Sequence, residues 1–172
     1  NVLQRLPKDA KYHAVIQTEF VDDSLKVGEY DIPGTSDEYL LFVAAICHPC
    51  QVNDSISGLV VNVDLARRLS ELPPGHFNIK FLFLPETIGS IAYLANNESV
   101  IPQCKFGFFS EMIGHDNVLR LQRTRQDDTL LDRISRYVLD IRTNGGFIEG
   151  PFCHTIITND EKVTNAPGVD IP

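Results

Sequence analysis

The sequence predicts an α/β fold in which helices pack on a layered sheet. Three short, continuous apolar runs at residues 39–46 (YLLFVAAI), 79–84 (IKFLFL) and 106–109 (FGFF) read as strands buried on both faces. Segments with helical apolar spacing, at residues 56–72, 88–95 and 128–142, are interleaved with or follow these runs. Buried strands alternating with amphipathic helices build layered sheets, because each helix needs a sheet face to cover its apolar stripe. No repeat, low-complexity tract or linker divides the 172 residues, which suffice for one domain with a sizeable core.

Residues 12–20 (YHAVIQTEF) and 24–32 (SLKVGEYDI) alternate apolar and polar side chains, and predict a hairpin or edge pair with one wet face. Pro33-Gly34 closes the second with a turn. In the first helix Ile56, Leu59, Val60, Val63, Ala66 and Leu69 share a face, and Pro73-Pro74-Gly75 stops it. The last helix sets Leu131, Ile134, Val138 and Ile141 on one face; its acidic start and basic end suit the helix dipole. Gly145-Gly146 follows it, and residues 152–157 predict a further strand. The mixed charges of residues 122–128 predict a solvated connection.

A net charge of −8 argues against nucleic-acid or anionic-membrane partners, which are polyanions. No apolar run is long enough to span a bilayer, and no signal-peptide layout opens the chain, so a cytoplasmic location is expected. Four cysteines in a chain of this size do not make a disulfide scaffold; reduced thiols are expected. A chain that opens on Asn1 and stops at Pro172 in a strand-like approach reads as a piece of a longer protein.

The chemistry lies where each buried run ends, the place where open α/β sheets bind ligands. The first run leads into CHPCQVNDSISG, the second into PETIGS and the third into SEMIGHD. If the three strands are neighbours, His48 and the carboxylates of Asp54, Glu86 and Glu111 converge on one rim. One imidazole with several carboxylates is a zinc ligand set with a carboxylate left over as general base.

These three motifs, in this order, resemble the dinuclear zinc aminopeptidases, whose fold glutaminyl cyclases share. The resemblance is nearer to bacterial aminopeptidase-like proteins associated with polysaccharide biosynthesis, and runs from about Val21 to Pro172. It implies a three-layer sandwich around a central, mostly parallel sheet, present here as a fragment of the complete domain. It also implies that His48 ligates one zinc and Asp54 bridges two. Glu111 would stand for the family's aspartate ligand, and Glu86 would be the general base or a ligand to the second zinc. The reaction implied is hydrolysis of a peptide or amide bond. Three departures stand out. Cys50 occupies the place of the Asp in the family's His-x-Asp, Glu86 replaces a Glu-Glu pair, and the family's last histidine ligand would follow Pro172.

Simpler readings compete. Asp54 could cap the following helix, and Glu86 could be a first-turn glutamate held by a helix dipole. His115 and Asp116 read as solvated loop residues, and His13, His76 and His154 have no assigned role. Cys47 and Cys50 form a Cys-x-x-Cys, which suits a redox dithiol or half a structural zinc site, but no second pair exists and the helix starts several residues later. Without chemistry, Cys47 is a small buried residue. Loss of the Glu-Glu pair leaves open a non-catalytic aminopeptidase-like binding or scaffolding module.

Overall fold

The computed structural model describes residues 5–48, 50–152, 160–166, 168, 169 and 171. Strands β1 (Gly28–Ile32), β2 (Tyr39–Ala45), β3 (Asn78–Leu84) and β4 (Cys104–Phe109) form one sheet in the order β1-β3-β2-β4. β2 runs parallel to both β3 and β4, and β1 lies antiparallel on β3 at the edge. All three apolar runs therefore became neighbouring strands. β2 lies between the other two and fully buries Leu41, Val43, Ala44 and Ala45.

Helix α1 (Ser57–Ser70) connects β2 to β3, and α2 (Ile88–Asn96) connects β3 to β4 across β2. The two crossovers travel in opposite directions along the sheet. Because parallel crossovers are right-handed, the helices fall on opposite faces and make three layers. On the α2 face Leu41, Val43, Leu82 and Leu84 pack with Tyr93, Leu94, Cys104 and Ile171. On the other, Phe42 stacks between Phe81 and Phe108, both at 5.1 Å. The reversal of direction at β2 is a switch point, and the crevice beyond the strand ends there is open to a ligand.

Helix α3 (Leu130–Thr143) begins at a reciprocal cap, with Thr129 Oγ1 accepting from Asp132 N and Asp132 accepting from Thr129 N. β5 (Arg120–Gln122) and β6 (Ile148–Gly150) form a separate parallel pair, and α4 (Glu161–Thr164) is a single turn.

Four expectations change. Residues 12–20 form no strand and no hairpin; β1 instead takes the free edge of β3. The buried stripe of α1 is Gly58, Asn62 and Ala66, whereas Val60 and Val63 are exposed, because small residues let the helix approach the sheet closely. Of the apolar face on α3, Leu131 is buried while Ile134, Val138 and Ile141 are about half exposed. Part of the charge run 122–128 is structural: Arg123 pairs with Asp127 and Glu149, and Arg125 Nη1 donates to the Asn165 carbonyl. Most of the strand expected at 152–157 lies outside the described residues. No described helix is long and apolar enough to cross a membrane.

Candidate metal centre

The carboxyl end of β2 is tied down first. Ile46 N donates to Leu84 O at 3.0 Å, and Ser55 Oγ returns from the following loop to Ala45 O at 2.9 Å. The chain between carries Cys47 and His48, and Asp54 sits in a tight turn, Val52–Ile56, ahead of α1.

The Glu111 loop is bound to that turn. Gly58 presses so closely on β4's exit that an added Cβ would meet Ser110 O at 1.9 Å, which explains a glycine in the Asp-x-x-Ser-Gly pattern. Asn53 Oδ1 accepts from Gly114 N at 2.8 Å, Ser57 Oγ from Ile113 N at 3.2 Å, and Asn62 Oδ1 from Ser110 Oγ at 3.1 Å. These bonds hold Glu111 beside Asp54. The Glu86 loop is fastened at Gly89, where a Cβ would meet Leu84 Cβ and Pro85 Cδ at 2.9 Å.

His48 sits among the acids. Its Nδ1 lies 3.9 Å from Asp54 Oδ1 and its Nε2 lies 3.8 Å from Glu86 Oε2. Both distances exceed a hydrogen bond, and all three side chains stay partly open to solvent. Glu111 belongs to the same cluster by its field. Burial, then Asp54, Glu86, Glu161 and Asp160, push its carboxyl up to about 7. Glu111, Asp160 and Glu161 also line a cleft of about 930 Å³.

The structure decides between several simpler readings. Asp54 caps nothing: α1 has no side-chain cap, and Asp54 Oδ1 is buried without a hydrogen-bond partner among the described residues. Glu86 does not satisfy the start of α2 either. Asp160 does so, accepting from Thr87 N at 3.1 Å and from Ser90 Oγ. Asp160 is 1% exposed, its Oδ2 is without a partner among the described residues, and burial first raises its pKa. Sequence spacing gives no sign of this role, because Asp160 lies 73 residues from Thr87. His115 and Asp116 are exposed loop residues, as expected; His13 and His76 are exposed, and His154 lies outside the described residues.

Cys47 departs from the expected burial. It is exposed rather than buried, with Sγ 3.2 Å from His48 Nδ1 and accepting from Glu86 N at 3.2 Å. Cys47 and Cys50 are both free thiols. One donor atom each from Cys47, His48 and Glu86 lies within 4.8 Å of the others.

A family model described as a domain of unknown function, DUF4910, matches residues 6–172. The chain belongs to the DUF4910 family. It is 33% identical over 164 residues to a Clostridium acetobutylicum protein named for polysaccharide biosynthesis with an aminopeptidase-like domain, covering 95% of this chain and 37% of that protein. A crystal structure named as a peptidase from the same organism superposes with a TM-score of 0.79 at 32% identity, over 84% of this chain and 33% of that one. The DUF4910 chain thus spans about a third of the length of these relatives. A Zn-dependent exopeptidase of Bacteroides vulgatus shares the fold with a TM-score of 0.60 at 18% identity, over 85% of this chain and 59% of that one. An Acidobacteriales glutaminyl cyclase does so with a TM-score of 0.60 at 14% identity, over 86% and 57%. The peptidase-like fold and the aminopeptidase-like resemblance drawn from the three motifs both hold.

Proposed function

We propose that this chain carries a zinc-dependent hydrolase site, aminopeptidase-like, acting on peptide or amide bonds. The observation that carries the reading is the approach of His48 to Asp54 and Glu86, with Glu111 in the field of both acids, beyond the switch point of the sheet. The residues fit a metal. A buried Asp54 oxygen without a partner among the described residues and a Glu111 carboxyl raised by burial and then by neighbouring acids are both relieved by a cation. One imidazole and several carboxylate oxygens are ordinary zinc donors.

His48, Asp54 and Glu111 would hold one or two zinc ions. When bound, zinc lowers the pKa of a water toward neutrality and polarises a carbonyl oxygen. Glu86, across the site from His48, accepts the proton of the attacking water and returns it to the leaving amine. Glu111 and Glu161, which line the adjoining cleft, favour a substrate with a free α-amino group.

Zinc content and hydrolysis of aminoacyl amides by the intact protein test this assignment. Glu86→Gln keeps zinc at the parent stoichiometry and loses about 10²–10⁴-fold in kcat, the range of general acid–base catalysis. His48→Ala lowers zinc content. A Glu86→Gln protein with the parent's rate would remove Glu86 as the base. Unchanged zinc in His48→Ala would move the metal elsewhere.

A further inference from the structure

Cys47 lies in this site without a role in the ligand pattern. The buried thiol, Cys104, packs in the apolar core between strand and helix, as an inert cysteine does. Cys47 instead reaches the site from an exposed loop. Its Sγ is 3.2 Å from His48 Nδ1, and the same ring nitrogen faces Asp54 Oδ1 at 3.9 Å. Sulfur and carboxylate oxygen thus flank one imidazole nitrogen. Zinc–sulfur bonds of about 2.3 Å and zinc–nitrogen bonds of about 2.0–2.1 Å set sulfur and nitrogen ligands of one tetrahedral ion about 3.5 Å apart. The observed spacing is close to that before any ion draws the donors together. The Glu86 N–H aimed at Sγ is a second, independent feature, since backbone donors stabilise negative charge on an acceptor. A Glu86 carboxylate oxygen lies within 4.8 Å of Cys47 Sγ and of a His48 ring nitrogen.

We propose that Cys47 is a metal donor, its thiolate joining His48 and Asp54 in holding the ion. This rests on the metallohydrolase reading and deepens it by naming the class of ion. A thiolate selects thiophilic divalent ions, zinc, cobalt or cadmium, over magnesium and manganese, which prefer oxygen donors. As the sulfur–metal bond forms the thiol proton leaves to solvent, so metal uptake strengthens with pH. Glu86 then does two things: its backbone steadies the sulfur while its carboxylate stays available to the attacking water.

Cobalt(II) titrated into the intact, metal-free protein provides the test, read by absorption. The expected spectrum has visible ligand-field bands together with a near-ultraviolet sulfur-to-cobalt charge-transfer band. Cys47→Ser keeps the visible bands, loses the near-ultraviolet band and weakens cadmium binding by about tenfold or more, at least the loss that outer-shell partners cause. Cys50→Ser retains the near-ultraviolet band. Visible bands without the near-ultraviolet band would overturn Cys47 as a donor and leave the metal site standing. A near-ultraviolet band that survives Cys47→Ser would assign the sulfur elsewhere. No cobalt bound at all would overturn both this assignment and the hydrolase reading.

Discussion

Two acidic clusters lie on this sheet, and they are built in opposite ways. At its β1 edge, Glu29 and Asp31 close on Lys80, a lysine only 4% exposed; Lys80 Nζ pairs with Glu29 and lies 2.8 Å from Asp31 Oδ1. Tyr93 Oη donates to Glu29 at 2.9 Å. Burial works against the Lys80 charge, but hydrogen bonds to Asp31 and Glu29 outweigh it and hold its pKa above the usual value. At the carboxyl ends of β2, β3 and β4, Asp54 and Glu86 have only His48 as an ionic partner among the described residues, beyond hydrogen-bond distance. There burial, and after it the neighbouring acids, push Glu111 up. The first cluster supplies its own cation and stabilises the fold. The second concentrates negative charge, stabilises little by itself, and gains most from a cation that comes from outside.

Removing charge from the two clusters should therefore act with opposite sign. The largest expected effect is at the compensated cluster. Lys80→Met leaves two carboxylates facing an apolar strand and costs about 1–3 kcal/mol in urea denaturation. A loss below a few tenths would mean that the pairing is only decorative. Next is Asp160, which satisfies the start of α2. Asp160→Ala should be less stable than Asp160→Asn by about 1 kcal/mol, because asparagine keeps the acceptor for Thr87 and Ser90. Equal stabilities would show that the cap does not matter.

The smallest and most informative effect is at Glu111. Its folded pKa of about 7 stands above the ordinary 4.5, so folding favours the protonated form. Its contribution to stability is complete below about 4.5 and is lost as pH rises through about 7. The metal-free protein should melt lower at pH 8 than at pH 5.5, and Glu111→Gln should flatten that fall. Added zinc should restore the melting temperature of the parent at pH 8 and leave Glu111→Gln less changed. A Glu111→Gln protein less stable than the parent at pH 8 without metal would place Glu111 with the compensated cluster.

Much of the site was legible because its chemistry is local. Each motif follows a buried apolar run, and strand ends are where such sheets expose side chains to a ligand. His48, Asp54, Glu86 and Glu111 are the candidates that this rule picks out, and the sheet brings His48 to 3.9 Å from Asp54 and 3.8 Å from Glu86. What escaped the reading came from distance and direction. Asp160 meets Thr87 across 73 residues, a pairing no periodicity encodes. Cys47 directly follows an apolar run, yet the chain has already left the sheet at Ile46, so its side chain is exposed.

The helices show the same division. The positions of α1, α2 and α3 followed from spacing to within two residues, since backbone hydrogen bonding and capping are local. The face that α1 buries did not follow. Counting apolar residues favoured Val60 and Val63, but the sheet accepts Gly58, Asn62 and Ala66, because close approach favours small side chains and Asn62 finds Ser110.

The sequence by itself determined the three central strands and the three longer helices, that the helices layer on the sheet, and which side chains stand at the strand ends. Only the tertiary structure decided the strand order, and with it the switch point at β2. It also decided which acids meet a lysine and which meet one another. The physical reason is that periodicity and apolarity act over one helix turn or one pleat. The partner of a charge is set by sheet register and crossover direction, which join residues far apart along the chain.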